Sequence, residues 1–118
     1  MAARTPGVVI RRTRLQGAPV VAVSGELDLS TVQRLEEALD AAVRETEGTL
    51  LLDFSQVSFM DSSGVSVLLR ARALLGREDR AVAVICPPGH VRDVFGLAGI
   101  EDLFTLFDTR EAAAGALR

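Results

Sequence analysis

The chain contains short apolar stretches that are separated by polar turn residues. Five of these stretches predict β-strands, at residues 8–13, 19–24, 49–54, 81–86 and 103–107. The turn residues from Gln16 to Pro19 lie between the first two strands and predict a hairpin. The third and fourth stretches are continuous apolar runs, which are typical of strands buried on both faces.

Four segments between and after these strands predict helices, at about residues 31–44, 61–75, 90–97 and 109–117. In the first, Val32, Leu35, Leu39 and Val43 recur at spacings of three and four, which indicates one buried helical stripe. The predicted order is β-β-α-β-α-β-α-β-α. Buried strands that alternate with helices predict an α/β domain, with a mixed, mostly parallel sheet of four to five strands and about four helices.

The composition fits one globular domain. The 118 residues are 48% hydrophobic and 25% charged, which is enough apolar material for a sizeable core. We expect a single domain over residues 1–118, with its core at about residues 8–117 and a flexible N-terminus over residues 1–7.

Charge and aromatic content argue against a nucleic-acid partner. The net charge is −3, and the chain has neither Trp nor Tyr for base stacking. Its one basic cluster, Arg11, Arg12 and Arg14, falls on the first predicted strand, where arginines are typical of a solvated edge that resists aggregation.

Cysteine usage and hydropathy indicate the compartment. The single Cys86 ends an apolar strand and has no second cysteine to pair with, which favours a buried thiol in a reducing cytosol. No apolar stretch reaches the length of a membrane span, and the first residues lack the apolar core of a signal peptide. We therefore expect a cytoplasmic protein without a membrane partner.

The stretch Asp61-Ser62-Ser63-Gly64 joins an apolar strand to an apolar helix. An oxygen of any of its three polar side chains is suited to cap the first turn of that helix. The apolar surface of the helix is wider than one packing stripe requires, with Val65 and Leu69 at its border. This width indicates either a partner surface or a helix that a small domain buries on most sides.

Three segments resemble one family. Residues 59–65 (FMDSSGV) are similar to the signature of STAS-domain anti-sigma-factor antagonists, residues 25–28 (GELD) resemble the end of that family's early strand, and residues 52–55 (LDFS) resemble its lead-in strand. The order of strands and helices matches the family over nearly the whole chain. The resemblance therefore implies a single STAS domain.

The resemblance also implies a switch. An unphosphorylated antagonist binds an anti-sigma factor that is a serine kinase, and so frees a sigma factor. The kinase then phosphorylates the first serine of the signature, here Ser62, and a serine phosphatase reverses the modification. The residues expected to contact the partner are Asp28, Asp61, Ser63, Gly64, Val65 and Leu69. Asp28 is equally suited to cap or turn the chain, and Ser63 to start the helix.

Enzymatic activity is not expected. A nucleophilic serine needs a base, and the only histidine, His90, has no sequence feature that places it near Ser62. The strained nucleophile elbow is absent, and the chain contains no lysine. We expect no cofactor, and no metal at a lone histidine without acidic or cysteine neighbours in a ligand pattern.

A different STAS role is the alternative. Some STAS domains are subunits of lipid-transport complexes or scaffolds, and the transport subunits are comparably short. Co-purification with a membrane ATPase would favour transport, whereas a soluble ATP-binding kinase partner would favour regulation. We expect a monomer when the protein is free.

Overall fold

The computed structural model describes residues 7–117. The expected flexible N-terminus, residues 1–7, therefore lies outside the described residues except for Gly7. The carbonyl oxygen of Gly7 accepts a hydrogen bond of 2.9 Å from the backbone N–H of Glu26, so the described chain begins against the sheet.

In the described part of the chain, five strands form one sheet in the spatial order β1-β2-β3-β4-β5. They are β1 (Val8–Leu15), β2 (Ala18–Leu27), β3 (Leu50–Met60), β4 (Val82–Ile85) and β5 (Thr105–Phe107). β1 pairs antiparallel with β2 across the turn Gln16–Gly17, and the other three pairs are parallel. The predicted hairpin and the mixed, mostly parallel sheet are confirmed.

Within residues 7–117, four helices complete the fold: α1 (Val32–Glu45), α2 (Ser62–Gly76), α3 (His90–Leu97) and α4 (Arg110–Ala116). The predicted order of elements is confirmed, although several strand ends differ from the prediction. The last strand was expected from Leu103, but Glu101–Leu103 forms a single 3₁₀ turn. The backbone N–H of Leu103 bonds to the carbonyl of Ile100 at 2.9 Å, so the strand begins two residues later.

The two faces of the sheet are covered unequally. On one face, α1, α2 and α3 pack on the strands around residues such as Val23, Leu52 and Val84. On the other face, α4 places Ala113 against a smaller cluster that is formed by Val20, Leu51, Ala83 and Ile85. The short α4 therefore leaves much of the β1 and β2 side of its face without a covering helix.

β3 is longer than the sequence predicts, because two irregularities interrupt its pairing with β2. Ala22 pairs with Asp53 but Ser24 with Gln56, and a second shift separates the next pairs. Each shift adds one residue to β3, as a β-bulge does. The buried residues of β3 on the helix-covered face consequently change spacing from two to three; they are Leu50, Leu52, Phe54, Val57 and Met60.

Candidate functional site: the turn between β3 and α2

The two sequence segments around Asp28 and Ser62 meet where β2 and β3 end. Leu27 and Met60 are register partners in this parallel pair. The backbone N–H of Asp61 donates to the carbonyl of Leu27 at 3.1 Å. The β2–α1 turn and the start of α2 are therefore neighbours at the carboxyl end of the sheet.

Asp61 is the cap of α2. Its Oδ1 accepts hydrogen bonds from the backbone N–H of Ser63 at 2.9 Å and from the Ser63 hydroxyl at 2.5 Å. Of the three polar side chains that were suited to cap this helix, Asp61 is the one that does so. The same contact occupies the hydroxyl of half-buried Ser63.

Ser62 is the first residue of α2, and its side chain is exposed. Among the described residues, its hydroxyl has no hydrogen-bond partner, whereas its carbonyl accepts from the Ser66 hydroxyl at 3.1 Å. The two adjacent serines thus differ: the hydroxyl of Ser63 is engaged inside the domain, and that of Ser62 faces solvent.

Close packing explains both glycines of these segments. A Cβ added to buried Gly64 would lie 2.6 Å from Cγ of Met60, which is closer than such atoms approach. Gly25 has φ +103°, and a Cβ there would lie 2.4 Å from the carbonyl oxygen of Gly7. Gly64 therefore seats the first turn of α2 on the sheet, and Gly25 lets the chain preceding β1 approach β2.

Asp28 organises the turn between β2 and α1. Its Oδ1 accepts from the backbone N–H of Ser30 at 2.9 Å and from the Ser30 hydroxyl at 2.7 Å. The hydrogen bond from the Ser30 hydroxyl is the main reason that the pKa of Asp28 lies below its usual value. Asp28 thus has the turn role, and its half-buried carboxylate stays ionised at neutral pH.

Thr31, not Asp28, stands at the N-cap position of α1, without a side-chain capping bond. Its hydroxyl instead donates to the carbonyl of Glu26 at 2.6 Å and accepts from the N–H of Asp28 at 3.1 Å. This buried contact ties the turn to the end of β2.

Val65 and Leu69 are half-buried and pack against the core. The fully buried residues of α2 are Gly64, Val67, Leu68, Ala71 and Leu75. Most of the apolar surface of α2 is therefore used inside the domain. Val65 and Leu69 keep part of their apolar surface exposed on the helix that begins at Ser62.

His90 lies closer to this site than the sequence indicates. Its ring stacks on Phe59, with ring centroids 5.3 Å apart, and its Nε2 lies 3.5 Å from the backbone nitrogen of Met60. Helix α3 thus touches the strand that leads into Asp61. No signal in the sequence marks this pair, because it depends on how α3 docks beside β3. Within residues 7–117, no group of three His, Cys, Asp or Glu side chains is arranged to hold a metal ion.

A five-stranded mixed sheet with three helices on one face, and an exposed serine at the start of the helix after the third strand, defines the class of domain. Residues 9–113 match the family model of the STAS domain. The chain therefore belongs to the STAS domain family.

Several relatives carry names that describe a regulator. The chain is 30% identical over 102 residues to the anti-sigma-F factor antagonist RsfB of Mycobacterium tuberculosis, covering 86% of this chain and 83% of that protein. It resembles the crystal structure of an anti-sigma factor antagonist from Mycobacterium paratuberculosis, with a TM-score of 0.85, 32% identity and 94% of each chain covered.

A third relative is the Bacillus cell fate determinant SpoIIAA, whose structure was solved in its phosphorylated form. The match has a TM-score of 0.70 and 25% identity, and it covers 93% of this chain and 100% of that one. In the part of the chain described by the structure, no helix has the length and apolar character needed to cross a membrane.

Proposed function

We propose that this chain is an anti-sigma factor antagonist whose unphosphorylated form binds an anti-sigma factor serine kinase, and that phosphorylation of Ser62 ends this binding. The observation that carries the proposal is the exposed Ser62 hydroxyl, which has no hydrogen-bond partner among the described residues. The names of the relatives support the partner class, and the phosphorylated form of SpoIIAA supports a covalent switch.

The fold is suited to accept a phosphate at this position. The kinase would transfer the γ-phosphoryl group of ATP to Oγ of Ser62, with loss of the hydroxyl proton and release of ADP. No intramolecular bond of the Ser62 hydroxyl has to break. The positive end of the α2 dipole favours an added anion by about 0.3–1 kcal/mol. The domain would therefore keep its structure after modification.

Release would come from charge and bulk at the interface. A phosphate adds about −1.5 to −2 charges at neutral pH. Asp61 precedes it in the chain, and Asp28 stands at the neighbouring strand end, bonded within its turn. The partner is proposed to dock on these two carboxylates and on the half-exposed Val65 and Leu69. The phosphate would enlarge the anionic group in this surface, and like charges in a packed interface weaken binding strongly. A serine phosphatase would restore the binding form.

The test combines mass and binding. The purified protein is mixed with candidate anti-sigma kinases from the same genome and ATP, and its intact mass is followed. Wild type should gain one phosphate, Ser62→Ala none, and the matched control Ser63→Ala one. Phosphate on Ser63, or modification by no kinase, would contradict the proposal. Ser62→Asp should bind the kinase at least about tenfold more weakly than wild type, and equal affinity would remove charge as the cause of release.

The same binding assay separates two roles of Asp28. In Asp28→Asn, the amide oxygen still accepts from Ser30 but the charge is gone, whereas Asp28→Ala removes both. A contact role predicts that both variants bind the kinase more weakly. If Asp28→Asn binds as wild type does, Asp28 acts only in the turn.

A further inference from the structure

A polar groove of about 370 Å³ lies on the face of the sheet that α4 only partly covers. Its floor and walls include residues of β1, β2 and β3 and the first residue of α4. Among them are Arg11, Thr13, Ala22, Asp53, Gln56 and Arg110. The groove is separate from the turn that presents Ser62, because none of the residues of that turn lines it.

The shape of the groove follows from the register of three strands. Arg11 pairs with Ala22, and Ala22 pairs with Asp53, so the three side chains form one row across the sheet. Two strand spacings, or about 10 Å, separate the ends of the row. Ala22 fills little of the space between them, and this leaves a depression with a long polar side chain on each side.

The charge of the groove is opposite to that of the chain. Among its lining residues, two arginines (Arg11 and Arg110) and one carboxylate (Asp53) belong to this face, which leaves one positive charge in a protein of net charge −3. The Arg11 side chain has no hydrogen bond or ion pair among the described residues, and the Arg14 side chain donates only to the uncharged carbonyl of Gly17. The positive charge of Arg11 therefore has no counterion in the described part of the fold.

Asp53 does not neutralise this excess. Its Oδ1 accepts from the backbone and hydroxyl of Ser55, and its Oδ2 accepts from Arg110 at 2.7 Å. Burial works to raise the pKa of Asp53, but the bonds from Ser55 and the Arg110 guanidinium outweigh it and the pKa lies below its usual value. Asp53 thus holds one nitrogen of Arg110 and leaves its other donors available at the groove.

Thr13 supplies a second, independent observation. It lines the groove, and its Oγ1 is shielded from solvent without a hydrogen-bond partner in the described chain. A buried hydroxyl without a partner is unfavourable, and such groups are few in folded proteins. If the Thr13 side chain turned toward the groove, a ligand oxygen there would satisfy this hydroxyl.

We propose that this groove binds a small anion with a carboxylate or phosphate group, held by Arg11 and Arg110 and hydrogen-bonded to the Thr13 hydroxyl. Guanidinium groups pair with both kinds of oxyanion through two parallel N–H donors. The volume falls within the range of about 300–1,000 Å³ that is typical of small-molecule sites. The inference does not depend on the proposed switch at Ser62.

Amide chemical shifts of the full ¹⁵N-labelled chain test the site. Inorganic phosphate and succinate are titrated separately, with sodium chloride at equal ionic strength as the reference. We expect saturable shifts of Arg11, Thr13 and Ala22 with at least one of the two anions, and none at Ser62. The anion that saturates at the lower concentration identifies the preferred group. Shifts that match those from chloride would overturn the proposal.

Two pairs of variants sharpen this result. Arg11→Gln should weaken anion binding about tenfold, whereas the control Arg12→Gln should leave it unchanged, because Arg12 points to the other face and pairs with Glu45 of α1 at 3.5 Å. Thr13→Val should weaken binding while raising the thermal stability of the free protein, and Thr13→Ser should retain binding. Equal losses in Arg11→Gln and Arg12→Gln, or unchanged affinity in Thr13→Val, would overturn the site.

Discussion

Two regions present polar side chains to solvent: the turn from Asp61 to Gly64 (the Ser62 turn) and the polar groove that Arg11 lines (the Arg11 groove). Different interactions hold their side chains in place. At the Ser62 turn, Gly64 packs directly on Met60, and the Asp61 cap fixes the first turn of α2. At the groove, the side chains stand on an incompletely covered sheet face, and the ion pair between Asp53 and Arg110 links α4 to that face.

This difference has a physical consequence. Close packing responds weakly to pH and salt, whereas a half-exposed ion pair is screened by salt and lost in acid. The Ser62 turn should therefore keep its shape over a wide range of conditions, and a modification that adds charge there changes the surface rather than the support. The groove should be the more variable of the two regions.

The largest effect should come from filling the space at Gly64. In Gly64→Val, the added atoms overlap with buried Met60, and overpacking of this kind lowers the free energy of unfolding by about 2–3 kcal/mol. Gly115→Val is the control, since a Cβ at Gly115 meets nothing within 4 Å, and its effect should stay within about 0.5 kcal/mol. Urea denaturation measures both. Equal effects at the two positions would mean that packing does not hold the Ser62 turn.

Removal of the cap should have an intermediate effect. Asp61→Ala leaves the N–H of Ser63 without its acceptor and should lower the free energy of unfolding by about 1 kcal/mol. Asp61→Asn keeps an oxygen acceptor and should lose much less. Thermal denaturation of the three proteins provides the comparison, and an Asp61→Asn variant as unstable as Asp61→Ala would show that charge rather than capping matters there.

The smallest effect concerns acid. Because the pKa of Asp53 is lowered in the folded protein, its stabilisation is fully present above the unfolded value near 3.9 and is lost as the pH falls through the folded pKa. The free energy of unfolding should therefore decrease less from pH 7 to pH 3 in Asp53→Asn than in wild type. The difference should be less than about 1 kcal/mol, because Arg110 is partly exposed and the ion pair is screened by solvent. Arg110→Gln should act in the same direction. If both variants lose stability between pH 7 and pH 3 as wild type does, the ion pair does not stabilise this region.

Helices were predictable where a local signal marks their ends. The bounds of α3 follow from Pro87-Pro88-Gly89 before His90 and Gly96 and Gly99 around Leu97, and they agree with the structure. The stripe of α1 follows from helical spacing: Leu35, Leu39 and Val43 are buried as predicted, whereas Val32 is only partly buried. Both signals lie within the element itself, so no knowledge of the partner elements is needed.

Strand ends were not predictable where pairing departs from regular alternation. The sequence indicates that β3 stops at Phe54, but the two bulges move its later buried residues out of the two-residue period. β2 likewise continues to Leu27, because it pairs with the residues of β3 that follow the first bulge, up to Met60. The distortion arises between strands, and a single segment of sequence contains no trace of it.

The site was only partly predictable for the same reason. The residues around Ser62 follow from a contiguous resemblance to the family signature. Which side chain caps the helix, and which serine hydroxyl is left without a partner among the described residues, depends on the three-dimensional structure. The stacking of His90 on Phe59 and the row from Arg11 through Ala22 to Asp53 join segments far apart in the chain. Such juxtapositions depend on docking and register.

The two bulges in β3 also affect how many residues this strand can contain. Buried Val57 and Met60 face the core only because each follows an extra residue. Removal of the extra residue at one bulge would restore regular pairing with β2 and would leave the later side chains of the strand on the same faces. Removal of a residue between Leu50 and Asp53, where the pairing is regular, would instead turn the neighbouring side chains to the opposite face. Over evolutionary time β3 should therefore accept the loss of one residue at a bulge more readily than a loss in its regular part from Leu50 to Asp53.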